Sequence, residues 1–373
     1  MIQINRKYIK HFDWYIFLIL LSISLIGVFT IYSATRPIIT NVQQNYYTKQ
    51  LLWICIGMVG LIAVVIYDYA WLRKSAYVFY IFGIILLLLV LLIGKKGMGA
   101  QRWIDLKIIV FQPSDLFKIV LIVALARYLS TIRYQLTKGS FAIALVLFGF
   151  LPFALIIKQP HLGTALITFS IFVFLALSKG IEKKFLIGLT IFLAIVVPLV
   201  SKTMWNGLKE YQKNRIVAFI DPAIDPKGMG YQIEQSKVTA GSGMIFGKGY
   251  LHGTQGPLRF LPEKHTDFIF SVFAEEWGFV GCTIMFILYF MLFIRGIDTA
   301  LKAKDEFGRY VSIGITFMLF MYFIINIGMV LGMMPVVGVP IPFMSYGGTS
   351  TITNFLAVGI LINIRMRRVV MVY

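Results

Sequence analysis

The chain has 373 residues, 59% of them hydrophobic and 14% charged, whereas soluble domains run at about 45–50% apolar and about 25% charged. An ordinary soluble globule is excluded. The 35 Lys and Arg against 16 Asp and Glu give a net charge of +19, which in a membrane protein must be sorted by side before it implies a partner, and no nucleic-acid partner follows from it.

A spanning helix takes about 20 apolar residues. Ten apolar stretches follow one another, at 14–34, 49–67, 76–94, 113–131, 141–157, 163–179, 184–201, 268–295, 308–333 and 348–365. They predict an all-α polytopic membrane protein, with ten transmembrane helices in a single membrane domain over 1–373. The first stretch is too long for a signal h-region and lacks a small-residue cleavage site, so it reads as a retained helix. Cys55 and Cys282 fall inside apolar stretches and read as small buried hydrophobes, with neither a disulfide framework nor a metal site implied. With the N-terminus in the cytoplasm, 18 of the Lys and Arg lie in inner segments, 16 in outer ones, and Lys118 within the fourth span. Every short inner connection carries at least two positive charges and the last outer loop none, which predicts cytoplasmic termini.

Along the chain, the second outer segment carries Lys95, Lys96, Arg102 and Lys107. The fourth span opens with Asp115 and Lys118, three apart and so on one helix face, where they can pair. Ionisable groups in hydrocarbon cost about 2.5–3.5 kcal/mol at the bilayer centre, so these two mark either a functional site or an ion pair that fixes helix packing. The loop 202–267, between spans seven and eight, is too long for a connector and holds Trp205, Tyr211, Phe219, Tyr231, Phe246, Tyr250 and Phe260. It predicts a large structured extracytoplasmic loop of short amphipathic or half-inserted helices packed over the outer face. Its Gly241-Ser242-Gly243 and Gly247-Lys248-Gly249 form either an anion-binding nest or simple turns.

That loop ends in Glu263-Lys264-His265-Thr266-Asp267, directly before the apolar Phe268-Ile269-Phe270. Thr266 or Asp267 suits a helix N-cap. The density of acid, base and imidazole equally suits a general base or a carboxylate that holds a divalent cation against a phosphate. Glu275 and Glu276 follow inside the eighth span and cannot share a face, so at least one turns toward a polar interior. The last outer segment, Pro335 to Ser350, has three prolines and three glycines, an irregular backbone that membrane depth tolerates only against protein or a cavity. Lys95, Lys96, Arg102, Lys118, Arg215, Lys248 and Lys264 are placed to converge outside on an amphiphilic anion such as a pyrophosphate.

Several stretches carry a resemblance. They are Gly99-Ala100-Gln101-Arg102-Trp103-Ile104, Gln112-Pro113-Ser114 followed by an acid and Lys118, Gln159-Pro160 with Leu162-Gly163-Thr164-Ala165, and Arg215 with Asp221-Pro222 and Asp225-Pro226. Further on come Gly230-Tyr231-Gln232, Gly253-Thr254-Gln255, Pro262 through Phe268, and Gly338-Val339-Pro340 through Ser345-Tyr346-Gly347-Gly348-Thr349-Ser350. On these the chain resembles the SEDS (shape, elongation, division, sporulation) family of RodA-like rod-shape peptidoglycan glycosyltransferases. The resemblance implies polymerisation of lipid II into glycan strands on the outer face of the cytoplasmic membrane during elongation, with undecaprenyl pyrophosphate as leaving group. It implies Asp267 as the catalytic acid, either general base or metal-binding, and Arg102, Trp103, Asp115, Lys118, Arg215, Lys248, Glu263, His265 and Ser345 as substrate-binding residues. A divalent cation, Mg or Mn, is allowed by the resemblance, and the partners it implies are a class B penicillin-binding protein and other rod-complex membrane proteins. Three positions depart from the family's pattern: His161 stands where an Asp is expected, Asp115 replaces the usual Glu, and Met244 replaces a glycine. A flippase of the lipid-linked precursor and a non-catalytic scaffold are the competing readings.

Overall fold

In the computed structural model the described residues are 11–36, 45–97, 100–105, 110–159, 161–181, 210–225, 228–254 and 264–368. The predicted seventh span, 184–201, and Glu263 lie outside them. The helices are α1 (Trp14–Thr35), α2 (Tyr46–Ile66), α3 (Tyr69–Ile93), α4 (Pro113–Thr131), α5 (Lys138–Lys158), α6 (Leu162–Lys179), α7 (Glu210–Ile220), α8 (Met229–Gly241), α9 (Ile269–Leu301), α10 (Glu306–Val330) and α11 (Gly348–Met366). Within α5, residues Leu145–Phe150 form a π-helical turn.

Seven of the described helices, α1, α2, α3, α5, α6, α9 and α10, are long and apolar enough to cross a membrane; this is a multi-pass membrane protein. Two further predicted spans coincide with α4 and α11, which occupy the interior. Phe117, Leu121, Ile122, Leu125 and Leu129 of α4 are all buried, as are most residues of α11. A helix surrounded by protein can carry the polar groups that a lipid-facing one cannot, and this is where Asp115 and Lys118 reside. Cys282 is buried as expected, but Cys55 faces outward from α2, since the inner side of that helix is taken by Ile54, Gly57 and Leu61 against α11.

One end of the bundle is closed by carboxylate caps and arginines. Asp13, Asp68 and Asp305 cap α1, α3 and α10 by accepting from Ile16, Ala70 and Gly308 N–H at 3.1, 2.8 and 2.7 Å. Arg365 of α11 pairs with Asp13 and, at 2.6 Å, with Asp298, so the ends of α1, α9 and α11 are joined. This is the end that holds the short connections predicted to be inner.

The opposite end is irregular. A small antiparallel sheet, β1 (Lys95–Gly97), β2 (Ala100–Asp105) and β3 (Val110–Phe111), links α3 to α4. α7 and α8 form the helical part of the long loop. α8 lies on the bundle, its Ser236 hydroxyl sharing a 2.8 Å hydrogen bond with Ser271 of α9 and donating to Val330 O of α10 at 2.9 Å.

α9 is broken at Gly278, whose φ of 62° and ψ of −164° interrupt the helix. The segment 243–254 fills the break. Phe279 and Val280 N–H donate to Met244 and Ile245 O at 2.8 and 3.1 Å, while Lys248 and Gly249 N–H donate to Glu275 and Glu276 O at 3.0 Å each. A side chain on Gly278 would come 2.3 Å from Gly247 N, so the docking requires glycine. Because the N–H groups of 248 and 249 serve α9, the glycine-rich run is not an anion nest.

Candidate active site

Asp267 lies in the turn 264–268 that leads into α9, and the helix takes Phe268 as its N-cap. Asp267 therefore stands one residue before the cap, contrary to the capping expectation. Its main chain is held from α10 and from the segment 331–347 that follows it. Asn326, fully buried, donates through Nδ2 to Asp267 O at 2.9 Å and to Val339 O at 2.7 Å. Ser345 Oγ donates to Thr266 O at 2.7 Å and accepts from Ile341 N at 2.9 Å, and Tyr346 N–H donates to His265 O at 2.9 Å. The predicted cavity wall of prolines and glycines thus becomes the frame around Asp267.

Gly338 completes that frame. At φ +70°, a Cβ on it would sit 3.3 Å from Asp267 Oδ2, so the absence of a side chain leaves room for the carboxylate. A non-glycine residue in this region costs about 1–3 kcal/mol. Gly338→Ala is expected to displace Asp267 and to cost activity well beyond its loss of stability, which parallel polymerisation and melting measurements separate.

His265 is stacked on Tyr46 of α2, centroids 4.2 Å apart and planes at 26°, and Tyr346 closes the group at 5.6 Å from the imidazole. Gln50 of α2 donates to Ser345 O and Thr351 Oγ1 at 3.3 and 3.1 Å and accepts from Gly347 N. The start of α2 therefore braces the same frame.

A second group lies at the same end. Lys118, 1% exposed, donates from Nζ to Asp115 Oδ1 at 2.8 Å and to the Tyr322 hydroxyl. Tyr322 and Asn326 are one turn apart on α10, about 6 Å along the axis and on one face, so a single helix face holds both Lys118 and the backbone of Asp267. Gln112 ties the groups further, its N–H donating to Thr349 Oγ1 at 3.3 Å at the start of α11.

His161 lies at the centre of the positive charge. It is 5% exposed, with Gln112 Nε2 donating to its Nδ1 at 3.3 Å and Thr164 Oγ1 3.1 Å from its Nε2. Burial above all, then the charges of Arg102, Lys118 and Arg215, hold its pKa well below the ordinary imidazole range. Arg102 on β2 and Arg215 on α7 thus act electrostatically on the same imidazole as Lys118. The unfolded chain protonates this histidine near pH 6.5 while the folded chain keeps it neutral. Stability is therefore full above that pH and falls as the pH is lowered through it. His161→Gln is expected to lessen the fall in melting temperature between neutral and mildly acidic buffer.

Other predicted residues take different positions. Trp103 lies half-buried on β2 beside Arg102. Lys248 is beside Glu275, about two turns along α9 from Asp267, its amine 2.6 Å from Oε1 and 3.3 Å from Thr254 Oγ1. Ser345 is 4% exposed and bonded to the frame. Both thus have holding tasks. Asn326 and Gln50 join the site as polar amides in apolar stretches, the kind of residue that marks a buried backbone clamp. Among the described residues no three His, Cys, Asp or Glu side chains converge to hold a metal ion. The charges that act on His161, from Arg102, Lys118 and Arg215, are cationic and suit an anion.

Comparison with known proteins agrees with this architecture. Peptidoglycan glycosyltransferase MrdB of Escherichia coli K12 is 39% identical over 365 residues, 96% of this chain and 94% of that protein. Peptidoglycan glycosyltransferase RodA of Treponema pallidum is 31% identical, covering 96% and 99% of the two chains. Among solved structures, a chain from work on the structural coordination of polymerization and crosslinking by a peptidoglycan synthase complex matches with TM-score 0.80 and 29% identity over 96% of this chain and 98% of that one. The rod shape determining protein RodA of Thermus thermophilus matches with TM-score 0.69 and 27% identity over 96% and 97%. The family FTSW_RODA_SPOVE, described as cell cycle protein, matches residues 11–369, and the chain belongs to this SEDS family, on its RodA-like side.

Proposed function

We propose that this protein is a peptidoglycan glycosyltransferase that polymerises lipid II into glycan strands during cell elongation, with Asp267 as its general base. The observation that carries the reading is the placement of one carboxylate, framed by main-chain bonds from Asn326, Ser345 and Tyr346, at the bundle end where Arg102, Lys118 and Arg215 act on His161. In the step, the Asp267 carboxylate takes the proton of the acceptor's 4-hydroxyl as its oxygen bonds to the donor's anomeric carbon. The bond from that carbon to the pyrophosphate oxygen breaks, and undecaprenyl pyrophosphate leaves. Arg102, Lys118 and Arg215 face the charge that develops there, where preorganised cations act most strongly. His161, held neutral, orders Gln112 and Thr164 without opposing the leaving group. Glu263 and His265 flank Asp267 in sequence and complete the acceptor side of the proposal, while Trp103 and Asp115 support Arg102 and Lys118. Asp267 is also the donor that this chain offers a divalent cation, Mg or Mn, which would bring further charge to the pyrophosphate oxygens.

In this reading the chain is one membrane domain of the cytoplasmic membrane, with both termini cytoplasmic and Asp267 outside. A class B penicillin-binding protein and other rod-complex membrane proteins act with it. A flippase is favoured by Asp115, Lys118, Glu275 and Glu276 within the predicted spans and by the broken α9, since transporters place substrates at discontinuous helices. The free N–H and C=O groups of α9, however, are already bonded to residues 244–249. Purified protein given labelled lipid II, with and without the penicillin-binding protein, is expected to make glycan polymer. Translocation of labelled precursor without extension would overturn the reading.

A further inference from the structure

The end of the bundle away from Asp267 holds a cavity of about 660 Å³ whose lining includes Arg133, Tyr134, Lys179, Glu306, Arg309 and Tyr310. It lies where α4 and α6 end and α10 begins. From Glu306 to Asn326, which touches Asp267, α10 rises about 30 Å, the thickness of the hydrocarbon core. The cavity is thus at the opposite membrane interface from the candidate active site and takes no part in it.

Its walls are built. Leu136, 1% exposed, donates its N–H to Gly180 O at 2.9 Å, and Leu136 and Ile181 form a parallel bridge, fixing the α4–α5 connection to the end of α6. The Lys179 side chain is 4% exposed, 3.1 Å from Glu306 Oε2 and 5.6 Å from the centre of the Tyr310 ring. The carboxylate therefore has its cation. Arg133 and Arg309 are both exposed, and neither makes an ion pair with a carboxylate among the described residues. Tyr134, 77% exposed beside Arg133, places this charge at headgroup level, where tyrosines anchor spans, while Tyr310 is buried in the wall.

We infer that this cavity is a binding site for the phosphate headgroup of an anionic phospholipid. The shared chemistry is a phosphate group, which guanidinium forks bind in two-point fashion. The lipid is favoured over a soluble phosphate because the cavity opens at the level of the headgroups, beside three helix ends and the exposed Tyr134. Basic pockets between transmembrane helices bind such headgroups with both charge and shape. The inference rests on the membrane-spanning fold and stands apart from the catalytic reading.

The test uses the full chain, stripped of lipid and reconstituted either in phosphatidylcholine vesicles or in phosphatidylcholine with phosphatidylglycerol. Phosphatidylglycerol is expected to raise the melting temperature and to remain bound in native mass spectra. Arg133→Gln with Arg309→Gln should weaken that retention about tenfold or more, and Arg309→Gln alone should weaken it by less. Lys74→Gln, which removes an exposed charge at the same bundle end outside the cavity, should leave it unchanged. Each variant must melt like the parent in phosphatidylcholine alone, and the single variant serves if the double one does not. Equal weakening by Lys74→Gln, or none by the arginine variants, would overturn the inference. So would inorganic phosphate reproducing the whole shift in phosphatidylcholine. None of these readouts depends on polymerisation.

Discussion

Asp267→Asn is expected to lower the rate of lipid II polymerisation by about 10²–10⁴-fold, the usual contribution of a general base, with the melting temperature unchanged. The substitution keeps the shape of the side chain and removes its basicity. Asn326 bonds Asp267 through the main-chain oxygen, and Ser345 and Tyr346 bond Thr266 and His265 in the same way, so these three contacts survive the substitution. A loss of activity without loss of fold therefore isolates the proton-accepting role. The measurement is the yield of labelled glycan polymer per enzyme, beside a thermal melt of the same preparation. Polymerisation at the parent rate would remove Asp267 from the mechanism. Restoration of rod shape by the variant in cells lacking the parent protein would favour a scaffold.

The apolar stretches were legible because a span needs length and hydrophobicity and little else, and α1, α2, α3, α5, α6, α9 and α10 lie where those stretches are. Interior position was harder to read. α4 carries Asp115, Lys118 and Arg127 within an apolar stretch, and only the packing around it explains why these charges are tolerated. Three features escaped for physical reasons. The sheet is built from strands of three, six and two residues, too short for an alternating apolar pattern to announce them. The break in α9 depends on a docked segment more than twenty residues upstream of Gly278, and a single glycine after Glu275-Glu276-Trp277 was its one local sign. The N-cap moved from Thr266 or Asp267 to Phe268 because Ser345 and Tyr346 take the carbonyls of Thr266 and His265 and set the turn. At the site, Asp115 and Lys118 could be paired from their spacing of three, which the 2.8 Å contact matches. The convergence of Arg102 and Arg215 on His161 joins residues from β2, α7 and the turn before α6, and no spacing in one chain encodes it.

Lys118→Met should be the most destabilising of the site substitutions. Removing one partner of a buried ion pair leaves the other unpaired at a cost of about 3–5 kcal/mol, and here the loss also strips the Tyr322 hydroxyl of its donor. A fall in activity in this variant would be ambiguous, because Tyr322 shares a face of α10 with Asn326 and a disturbed α10 would move Asp267. The paired substitution Asp115→Leu with Lys118→Met resolves it. Replacing both charges by apolar groups of similar size removes the unpaired carboxylate, so most of the lost stability is expected to return, read as recovery of the melting temperature. Activity is expected to stay low, because the positive charge facing the leaving pyrophosphate has not been replaced. If the paired variant recovered polymerisation along with stability, Lys118 would be a packing ion pair and the charge at the leaving group would come from Arg102 and Arg215. The same assay at raised ionic strength adds a second discriminator. A catalytic Lys118 that is 1% exposed is screened far less than a surface charge, so the residual difference between parent and paired variant should persist in salt.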